Sequence, residues 1–171
     1  QELGENAAGA MGFSGDDGRT SIFDYCSIPT LVRWYNNGNC GIQKLNNKER
    51  KIRAFYKKVL RLCNGEKAIS EGAFFDLMYV NYHNLSPNKQ YLYLRHYETE
   101  TLLIAVNFDS QDATVYADIP QHAFDFLKID SGTYFMKELI SGKQKTVEFS
   151  SNAKFELHIP AHNGVVWKIV K

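Results

Sequence analysis

Acidic side chains crowd a glycine-rich stretch near the start of the chain, GFSGDDGRTSIFDY at residues 12–25. Asp16, Asp17 and Asp24 are carboxylates, and hydrolysis of a glycosidic bond requires two carboxylates held roughly 5–9.5 Å apart. The pattern itself predicts a solvated turn with a hydrogen-bonding Asp, because Asp and Gly favour turns. No feature of the sequence forces two carboxylates into one rigid pocket, so we assign no catalytic residue.

Nucleophilic and metal chemistry have less support. Ser14 in GFSGDDG lacks the second glycine of a GxSxG nucleophile elbow. The five histidines form neither HxH nor HExxH. His158 and His162 are four residues apart but straddle Pro160, which prevents a helix from aligning them. The sequence therefore predicts no metal site and no cofactor.

Composition limits the class of protein. The 171 residues suit one ordinary domain, or one small domain with an attachment. Hydrophobic residues make up 44% of the chain, which is enough for a packed core. The 20 Lys and Arg balance 19 Asp and Glu without a basic block, so nucleic acid is not a predicted partner. No run reaches the roughly 18 apolar residues of a membrane span.

The cysteines bear on the cellular compartment. Cys26, Cys40 and Cys63 match no CxxC pattern, and an odd number argues against a complete disulfide framework. Unpaired thiols favour a reducing compartment. No signal peptide is visible. The first residue is Gln1 rather than Met, which predicts a piece of a longer protein and leaves the compartment of that protein open.

The strongest helix signal is LNNKERKIRAFYKKVLRLCNG, residues 45–65. Asn46 is predicted to cap its start, with Glu49 completing a capping box, and Gly65 to provide a left-handed cap at its end. A second, short helix is predicted to start near Pro29. The apolar face of the long helix needs a partner, which could lie upstream of residue 1. That face comprises Ile52, Phe55, Tyr56, Val59, Leu60 and Cys63.

After Gly65 the pattern changes to short segments rich in β-branched and aromatic residues, separated by turn signals. Strands at this cadence, with no helical pattern between them, predict an antiparallel sandwich. The predicted domains are residues 1–66 and 67–171. The predicted strands are FFDLMYV (74–80), YLYLRHY (91–97), LLIAVNF (102–108), TVYADI (114–119), TYFMKEL (133–139), TVEF (146–149), FELHI (155–159) and GVVWKIV (164–170).

Aromatic residues are abundant, with 10 Tyr, 11 Phe and 2 Trp. Core packing is the default for aromatics at alternating strand positions. Stacking on sugar rings is the alternative, and the sequence does not decide between them. The candidates for stacking are Trp34, Tyr35, Tyr79, Tyr82, Tyr91, Tyr93 and Trp167.

Several segments together resemble the α-amylase family, glycoside hydrolase family 13. QELGE (1–5) and GFSGDDGRTSIFDY resemble the segment after the eighth strand of that family's catalytic barrel, although relatives often have an aromatic where this chain has Cys26. SIPTLVRWYNNG and LNNKERKIRAFYKKVLRLCNGEKAISEG resemble the last barrel helix and the run into the C-terminal domain. YLYLRHYETETLLIAVNFDS and IPAHNGVVWKIV resemble the middle and final strands of that domain.

The resemblance implies a mainly β fold: an antiparallel Greek-key β-sandwich, preceded by a helical segment from the end of a (β/α)8 barrel. It also implies that the three catalytic carboxylates of the family lie upstream of Gln1, so this chain alone is expected not to be an enzyme. Glu2, Asp17 and Arg19 lie in the rim segment and are candidates for contacting substrate or other barrel loops. Asp–Arg pairing that fixes the loop is the structural alternative.

We therefore expect the non-catalytic C-terminal part of an α-glucan-active glycoside hydrolase. Its expected partners are its own upstream barrel and, through that barrel, an α-glucan, with neither nucleic acid nor a membrane involved. One alternative is a starch- or maltooligosaccharide-binding module, which predicts two coplanar, exposed aromatics on one sheet face. Another is an oligomerisation domain, which predicts an apolar patch of more than a few hundred Å². The sequence leaves the glucan, and hydrolysis versus transglycosylation, open.

Overall fold

The computed structural model describes residues 29–171. The chain divides into two compact units, with the boundary between Arg61 and Leu62. The division into domains 1–66 and 67–171, and the assignment of the first to the end of a barrel, stay predictions.

Two helices lead the described part of the chain. Helix α1 spans Pro29–Tyr35, as Pro29 predicted, and a single 3-10 turn, Asn36–Gly38, follows it. Helix α2 spans Asn47–Gly65. The predicted capping box is confirmed: the backbone N–H of Glu49 donates to Asn46 Oδ1, and the N–H of Asn46 donates to the Glu49 carboxylate, both at 2.9 Å. The Arg33 guanidinium also donates to this buried carboxylate and lowers the pKa of Glu49.

The end of α2 differs from the prediction. Gly65 is the last residue of the helix and does not have a positive φ, so the expected left-handed cap is wrong. The N–H of Glu66 still donates to the Leu62 carbonyl at 3.0 Å, and Glu66 then turns the chain in an extended conformation. No left-handed residue is needed there, because the chain enters the short helix α3, Lys67–Ser70, directly.

The apolar face of α2 is present but largely uncovered in the described structure. Phe55, Tyr56 and Leu60 are 39%, 38% and 56% exposed. Ile52, Val59 and Cys63 are half-buried, and Glu49 is the helix's only buried residue. A 19-residue helix with an apolar stripe of this kind is stabilised mainly by what packs against it.

The second unit is a sandwich of two antiparallel sheets, which confirms the predicted fold class. One sheet has six strands in the order β1-β2-β3-β8-β5-β6, and the other pairs β4 with β7. In sequence order, the β5–β6 pair lies between the partners β4 and β7, and these lie between the partners β3 and β8, as in a Greek key. The strands are β1 Ala73–Asp76, β2 Gln90–Tyr97, β3 Glu100–Asn107, β4 Ala113–Asp118, β5 Gly132–Glu138, β6 Gln144–Phe149, β7 Lys154–Ile159 and β8 Asn163–Val170.

Two helical segments correct the predicted strand pattern. The predicted strand FFDLMYV ends at Asp76, whose carboxylate accepts the N–H of Met78 at 2.8 Å and so starts helix α4, Met78–Asn81. Helix α5, Gln121–Leu127, lies between β4 and β5, where no helix was predicted. Its apolar residues Ala123, Phe124 and Leu127 are buried at helical spacing, but seven residues are too few for a clear periodic signal.

The main core lies between the two sheets. The six-stranded sheet contributes residues such as Leu92, Leu94 and Leu103, and the two-stranded sheet contributes Leu157 and Ile159. Phe149 lies at the centre of an aromatic group, with ring centroids 5.1–5.6 Å from those of Phe124, Tyr134 and Phe155. Alternation of buried and outward residues along β7 and β4 is what a sheet with one covered face requires.

Candidate functional surfaces

The predicted rim residues cannot be placed. Glu2, Asp17, Arg19 and Cys26, together with the segment GFSGDDGRTSIFDY, lie outside the described residues. Across residues 29–171, no group of three His, Cys, Asp or Glu side chains is arranged to hold a metal ion. In the same stretch, no helix has both the length and the apolar character of a membrane span. Cys40 and Cys63 are free thiols.

The six-stranded sheet has an outer face, which points away from β4 and β7. Strand register places Tyr91 opposite Val106 and Tyr93 opposite Ile104 on this face. Tyr91 is 36% exposed, and Phe74 from the neighbouring strand is 45% exposed. Aromatic and β-branched side chains therefore form a partly open apolar surface where an ordinary solvent-facing sheet would be polar.

Helix α3 covers one end of the outer face. Ala68 lies against Leu102 and Ile104, and the three form a small buried cluster separate from the main core. Ile69 and Tyr93 are half-buried against this cluster. The outer face thus has a covered end beside α3 and an open end towards Tyr91.

Charged groups fix α3 to the sheet. Lys168 Nζ lies 2.6 Å from the Glu66 carboxylate and 2.8 Å from that of Glu100. Glu100 also accepts the backbone N–H of Ala68 at 2.9 Å. Arg95 donates to the carbonyls of Ala68 and Ile69 at 2.8 and 2.6 Å. These bonds fasten the segment that follows α2 to strands β2, β3 and β8.

The ion pairs shift the pKa values of their members. Burial alone would raise the pKa of Glu100, but the hydrogen bonds from Lys168 and the Ala68 N–H outweigh it, and the pKa is lowered. Burial alone would lower the pKa of Lys168, but its hydrogen bonds to Glu100 and Glu66 outweigh burial and raise it. Both groups are therefore held in their charged forms.

The open end of the outer face contains a cleft, called here the outer cleft, of about 350 Å³. Phe108, which is 67% exposed, forms one side of it. Pro87, Tyr91, Tyr93 and Val106 form much of the rest. Rings of this kind, exposed side by side in a concave surface, are typical of interaction sites rather than of ordinary solvent-facing strands.

The aromatic residues do not form a flat platform. Tyr91 and Tyr93 have ring centroids 5.5 Å apart, with planes tilted by 44°. Phe74 and Tyr93 are also 5.5 Å apart and tilted by 42°. Every pair of aromatic rings in contact within residues 29–171 is tilted by at least 41°. None of these contacting pairs is therefore the coplanar pair that a flat sugar-binding face requires.

The remaining stacking candidates have separate surroundings. The Arg53 guanidinium lies 5.6 Å from the Trp34 ring centre. Tyr79 lies in α4 rather than in a strand, and its hydroxyl is 2.6 Å from His122 Nε2. Tyr35 and Tyr82 are 58% and 56% exposed.

A second cleft, called here the edge cleft, opens where β7 faces β8 and the end of β5. It measures about 320 Å³, and its lining includes Glu138, Lys143, Glu156, His158, Asn163 and Trp167. The half-buried Trp167 ring contacts the Lys145 ammonium, 4.7 Å from the ring centre. Burial lowers the pKa of Lys145.

Glu138 is a buried carboxylate in the lining of the edge cleft. It is 2% exposed and accepts the backbone N–H groups of Ile140 and Val166, each at 3.0 Å, and that of Ser141. Burial alone would raise the pKa of Glu138, but these hydrogen bonds outweigh burial and lower it. The carboxylate therefore joins β8 to the turn after β5 and has little capacity left for a ligand.

Sequence reasoning did not identify the ion pairs or the edge cleft. Lys168 and Glu66 are 102 residues apart, so no local spacing reveals their contact. A lysine inside the apolar strand GVVWKIV was the one available signal, because such a charge needs a partner when it is partly buried.

Comparison with known proteins gives a match in structure only. No protein-family profile matches the chain. No curated protein sequence matches it significantly. Among solved structures, an α-amylase from Geobacillus thermoleovorans, complexed with acarbose, aligns with 75% of this chain at 16% identity and a TM-score of 0.53. AmyP in complex with maltose aligns with 75% of it at 14% identity and a TM-score of 0.54.

The chain spans 24% and 23% of the lengths of those two proteins. At such low identity the likeness establishes the fold and nothing finer. The resemblance predicted from the sequence is confirmed at that level: the chain has the fold of part of an α-amylase.

Proposed function

We propose that this chain is the C-terminal part of an α-glucan-active glycoside hydrolase and supports the catalytic barrel without carrying out catalysis itself. The observation that carries the proposal is the structural match, which extends over 75% of this chain but only 23–24% of two α-amylases. The remaining three-quarters of such an enzyme would include the catalytic barrel.

The outer face is the proposed contact with that barrel. Phe74, Tyr91 and Phe108 are partly or largely exposed there, whereas the opposite face of the same sheet is buried. Burying an aromatic side chain against a second apolar surface stabilises the assembly by roughly 1.5–3 kcal/mol per fully buried residue. The barrel of the same protein is the proposed occupant, since the fold match leaves a large domain to be accounted for.

The apolar face of α2 supports the same proposal. Leu60, Phe55 and Tyr56 remain exposed on a helix that resembles the last helix of the barrel. In a complete barrel, that face would pack against the strands and the neighbouring helices. The chain after α2 is then fastened to the sandwich through Lys168 and Arg95, so the support would be transmitted through charged contacts as well as apolar ones.

The chemistry would belong to the upstream part. The family resemblance implies a retaining mechanism, in which two carboxyl groups about 5–5.5 Å apart act as nucleophile and general acid. We assign none of these roles to a residue of this chain.

Two assays test the proposal. The pure 171-residue chain, incubated with soluble starch or a maltooligosaccharide, is expected to release no reducing sugar, and measurable release that survives repurification would contradict it. The complete enzyme is expected to lose thermal stability when Tyr91 and Phe108 are changed to Ser. Tyr116→Ser is the matched control, because Tyr116 is 50% exposed on the two-stranded sheet, away from the outer face.

Oligomerisation and starch binding, the two alternative functions, make different predictions for the complete enzyme and for the described surfaces. An oligomerisation domain would use the outer face for self-association, and sedimentation of the complete enzyme would then show a dimer that Tyr91→Ser dissociates. The contacting aromatic pairs of the outer face are tilted by 42° and 44°, so they do not form the coplanar pair that a flat starch-binding face requires. We therefore retain barrel support as the function that the described surfaces favour.

A further inference from the structure

Among the strands of residues 29–171, one edge of β7 has no neighbour, so the backbone groups on that edge have no strand partner there. Asp118 directs its N–H and C=O to the Asn81 side chain, at 2.7 and 2.9 Å, so it does not exchange hydrogen bonds with Lys154 opposite. In an antiparallel ladder, hydrogen-bonded and non-hydrogen-bonded pairs alternate. Glu156 and His158, two and four residues beyond Lys154, therefore also point their backbone groups away from β4. Within residues 29–171, β4 is the only neighbour of β7 in its sheet, and Glu156 and His158 line the edge cleft, so those groups face this cleft.

The open edge is short. Lys145 Nζ lies 3.4 Å from the Glu156 carbonyl and occupies it weakly. Pro160, two residues beyond His158 and next in the series that points away from β4, has no backbone N–H to donate. Within the described residues, the N–H of Glu156 and the N–H and C=O of His158 are left without a hydrogen-bond partner. An added peptide strand needs a longer row of main-chain bonds than this, so the edge suits a small ligand with closely spaced hydrogen-bonding groups.

The floor of the cleft provides an aromatic surface and unused donors. Within residues 29–171, no group accepts a hydrogen bond from the Trp167 indole N–H or from the Asn163 amide nitrogen, although both residues line the cleft. The cleft volume of about 320 Å³ falls at the small end of ligand sites, which span about 300–1,000 Å³. Such a volume fits one or two sugar rings.

Charge around the cleft favours a neutral ligand. Lys143 and Lys145 are positive, Glu156 is negative, and the Glu138 carboxylate is already satisfied by backbone N–H groups. An anion would be repelled by the Glu156 carboxylate, and a cation would be repelled by the two lysine ammonium groups. A polyol does not have this conflict, because each hydroxyl both donates and accepts. The C–H faces of a sugar ring can also pack against the apolar face of an indole.

We propose that the edge cleft binds a neutral saccharide of one or two rings, which stacks on Trp167 and hydrogen-bonds to the open edge of β7. The edge cleft shares no lining residue with the outer cleft. An α-linked glucose disaccharide is the expected ligand, and that choice rests on the proposed function. The Lys145 ammonium must move off the Trp167 ring, which keeps binding weak.

Nuclear magnetic resonance of the ¹⁵N-labelled 171-residue chain tests the proposal, with maltose and β-linked cellobiose as probes. Sugar is added to about 20 mM, which nearly saturates a site with a Kd of about 1 mM. The Trp167 indole and His158 backbone signals are expected to shift saturably. Trp167→Leu should weaken binding about tenfold or more, whereas Tyr91→Leu, an exposed aromatic of the outer face, should leave it unchanged.

Absence of saturable shifts with both sugars would overturn the site, as would shifts confined to the outer face and lost in Tyr91→Leu. If circular dichroism shows that Trp167→Leu is unfolded, the His158 signal of the unsubstituted chain still decides. Equal binding of cellobiose and maltose would uphold the saccharide site but count against the α-glucan choice. The measurement involves no barrel, so its failure is separate from failure of the barrel-support function.

Discussion

The two faces of the six-stranded sheet differ in how they are covered. The inner face is closed by the two-stranded sheet and α5, and Leu94, Leu103 and Met136 are completely buried there. Within residues 29–171 the outer face is covered at the α3 end, and Tyr91 remains exposed at the other end, as does Phe74 on the edge strand β1. Both faces carry large apolar side chains. The difference shows that the sandwich is complete as a folding unit on one side and has apolar surface to spare on the other.

That contrast separates residues needed for folding from residues available for contact. Substitutions on the inner face should lower the free energy of unfolding of the chain by several kcal/mol. Substitutions at the open end of the outer face should hardly change it, yet they should matter in the complete enzyme. Substitutions that remove hydrogen bonds or ion pairs between layers should lower the free energy of unfolding by an intermediate amount.

The largest effect is expected at the aromatic centre of the inner core. Phe149→Ala removes a fully buried ring that contacts three others, and it should lower the free energy of unfolding by about 3–5 kcal/mol. Urea denaturation of the 171-residue chain measures this. Phe108→Ala is the matched control on the outer face, where the ring is 67% exposed, and should cost less than about 0.5 kcal/mol. Equal costs would contradict the comparison.

Asn81 should give the next largest effect. Its fully buried side chain satisfies both backbone groups of Asp118 and donates to the Leu77 carbonyl. Asn81→Ala leaves these groups unpaired in the interior and should cost about 2–3 kcal/mol. Asn84→Ala, nearby but half-buried and bonded to the Asp118 carboxylate, is the control. A change at Asn81 no greater than that at Asn84 would show that water replaces the lost bonds.

Substitution of Lys168 measures how much the ion pairs at the covered end of the outer face contribute to stability. Lys168→Met leaves the Glu66 and Glu100 carboxylates without their shared cation and should cost about 1 kcal/mol at neutral pH, since the group is partly solvated. Urea denaturation at physiological ionic strength measures the loss. Lys154→Met is the control, because the Lys154 ion pair with Asp118 is longer, at 3.7 Å, and more exposed. An equal cost at both positions would indicate that the shared cation has no special role.

The pH dependence of stability follows from the same group. The pKa of Glu100 is lowered on folding, so its contribution is present above the unfolded value of about 4.3 and is lost as pH falls through the lower folded value. The pKa of Lys168 is raised, so its contribution is present below about 10.4 and is lost as pH rises through the higher folded value. Stability of the unsubstituted chain should therefore fall at both extremes, and Lys168→Met should flatten the alkaline limb. Unchanged alkaline behaviour would contradict this account.

The smallest effect on the isolated chain is expected at the open end of the outer face. Tyr91→Ser should change its free energy of unfolding by less than about 0.5 kcal/mol, because the ring is already partly exposed. Thermal unfolding followed by circular dichroism measures this. A loss of 2 kcal/mol or more would mean that the outer face belongs to the folding core.

Sequence reasoning succeeded where a pattern is local. The β-branched and aromatic content of YLYLRHY between turn signals predicted β2, and the Asn46–Glu49 spacing predicted the cap of α2. It failed at Gly65, because the helix runs into α3 without a reversal, and at α5, because a seven-residue helix has too few turns to show its period. The edge cleft depends on the register of β4 against β7, and shifting that register by one residue would reverse which groups point outward. No local pattern sets that register.

The most direct test of the central claim is the thermal midpoint of the complete enzyme with the outer face intact and with Tyr91 and Phe108 both changed to Ser. Barrel support predicts that the double substitution lowers the midpoint by several degrees, whereas Tyr116→Ser, on the two-stranded sheet, leaves it unchanged. A midpoint that is the same in the double variant and the unsubstituted enzyme would contradict the account.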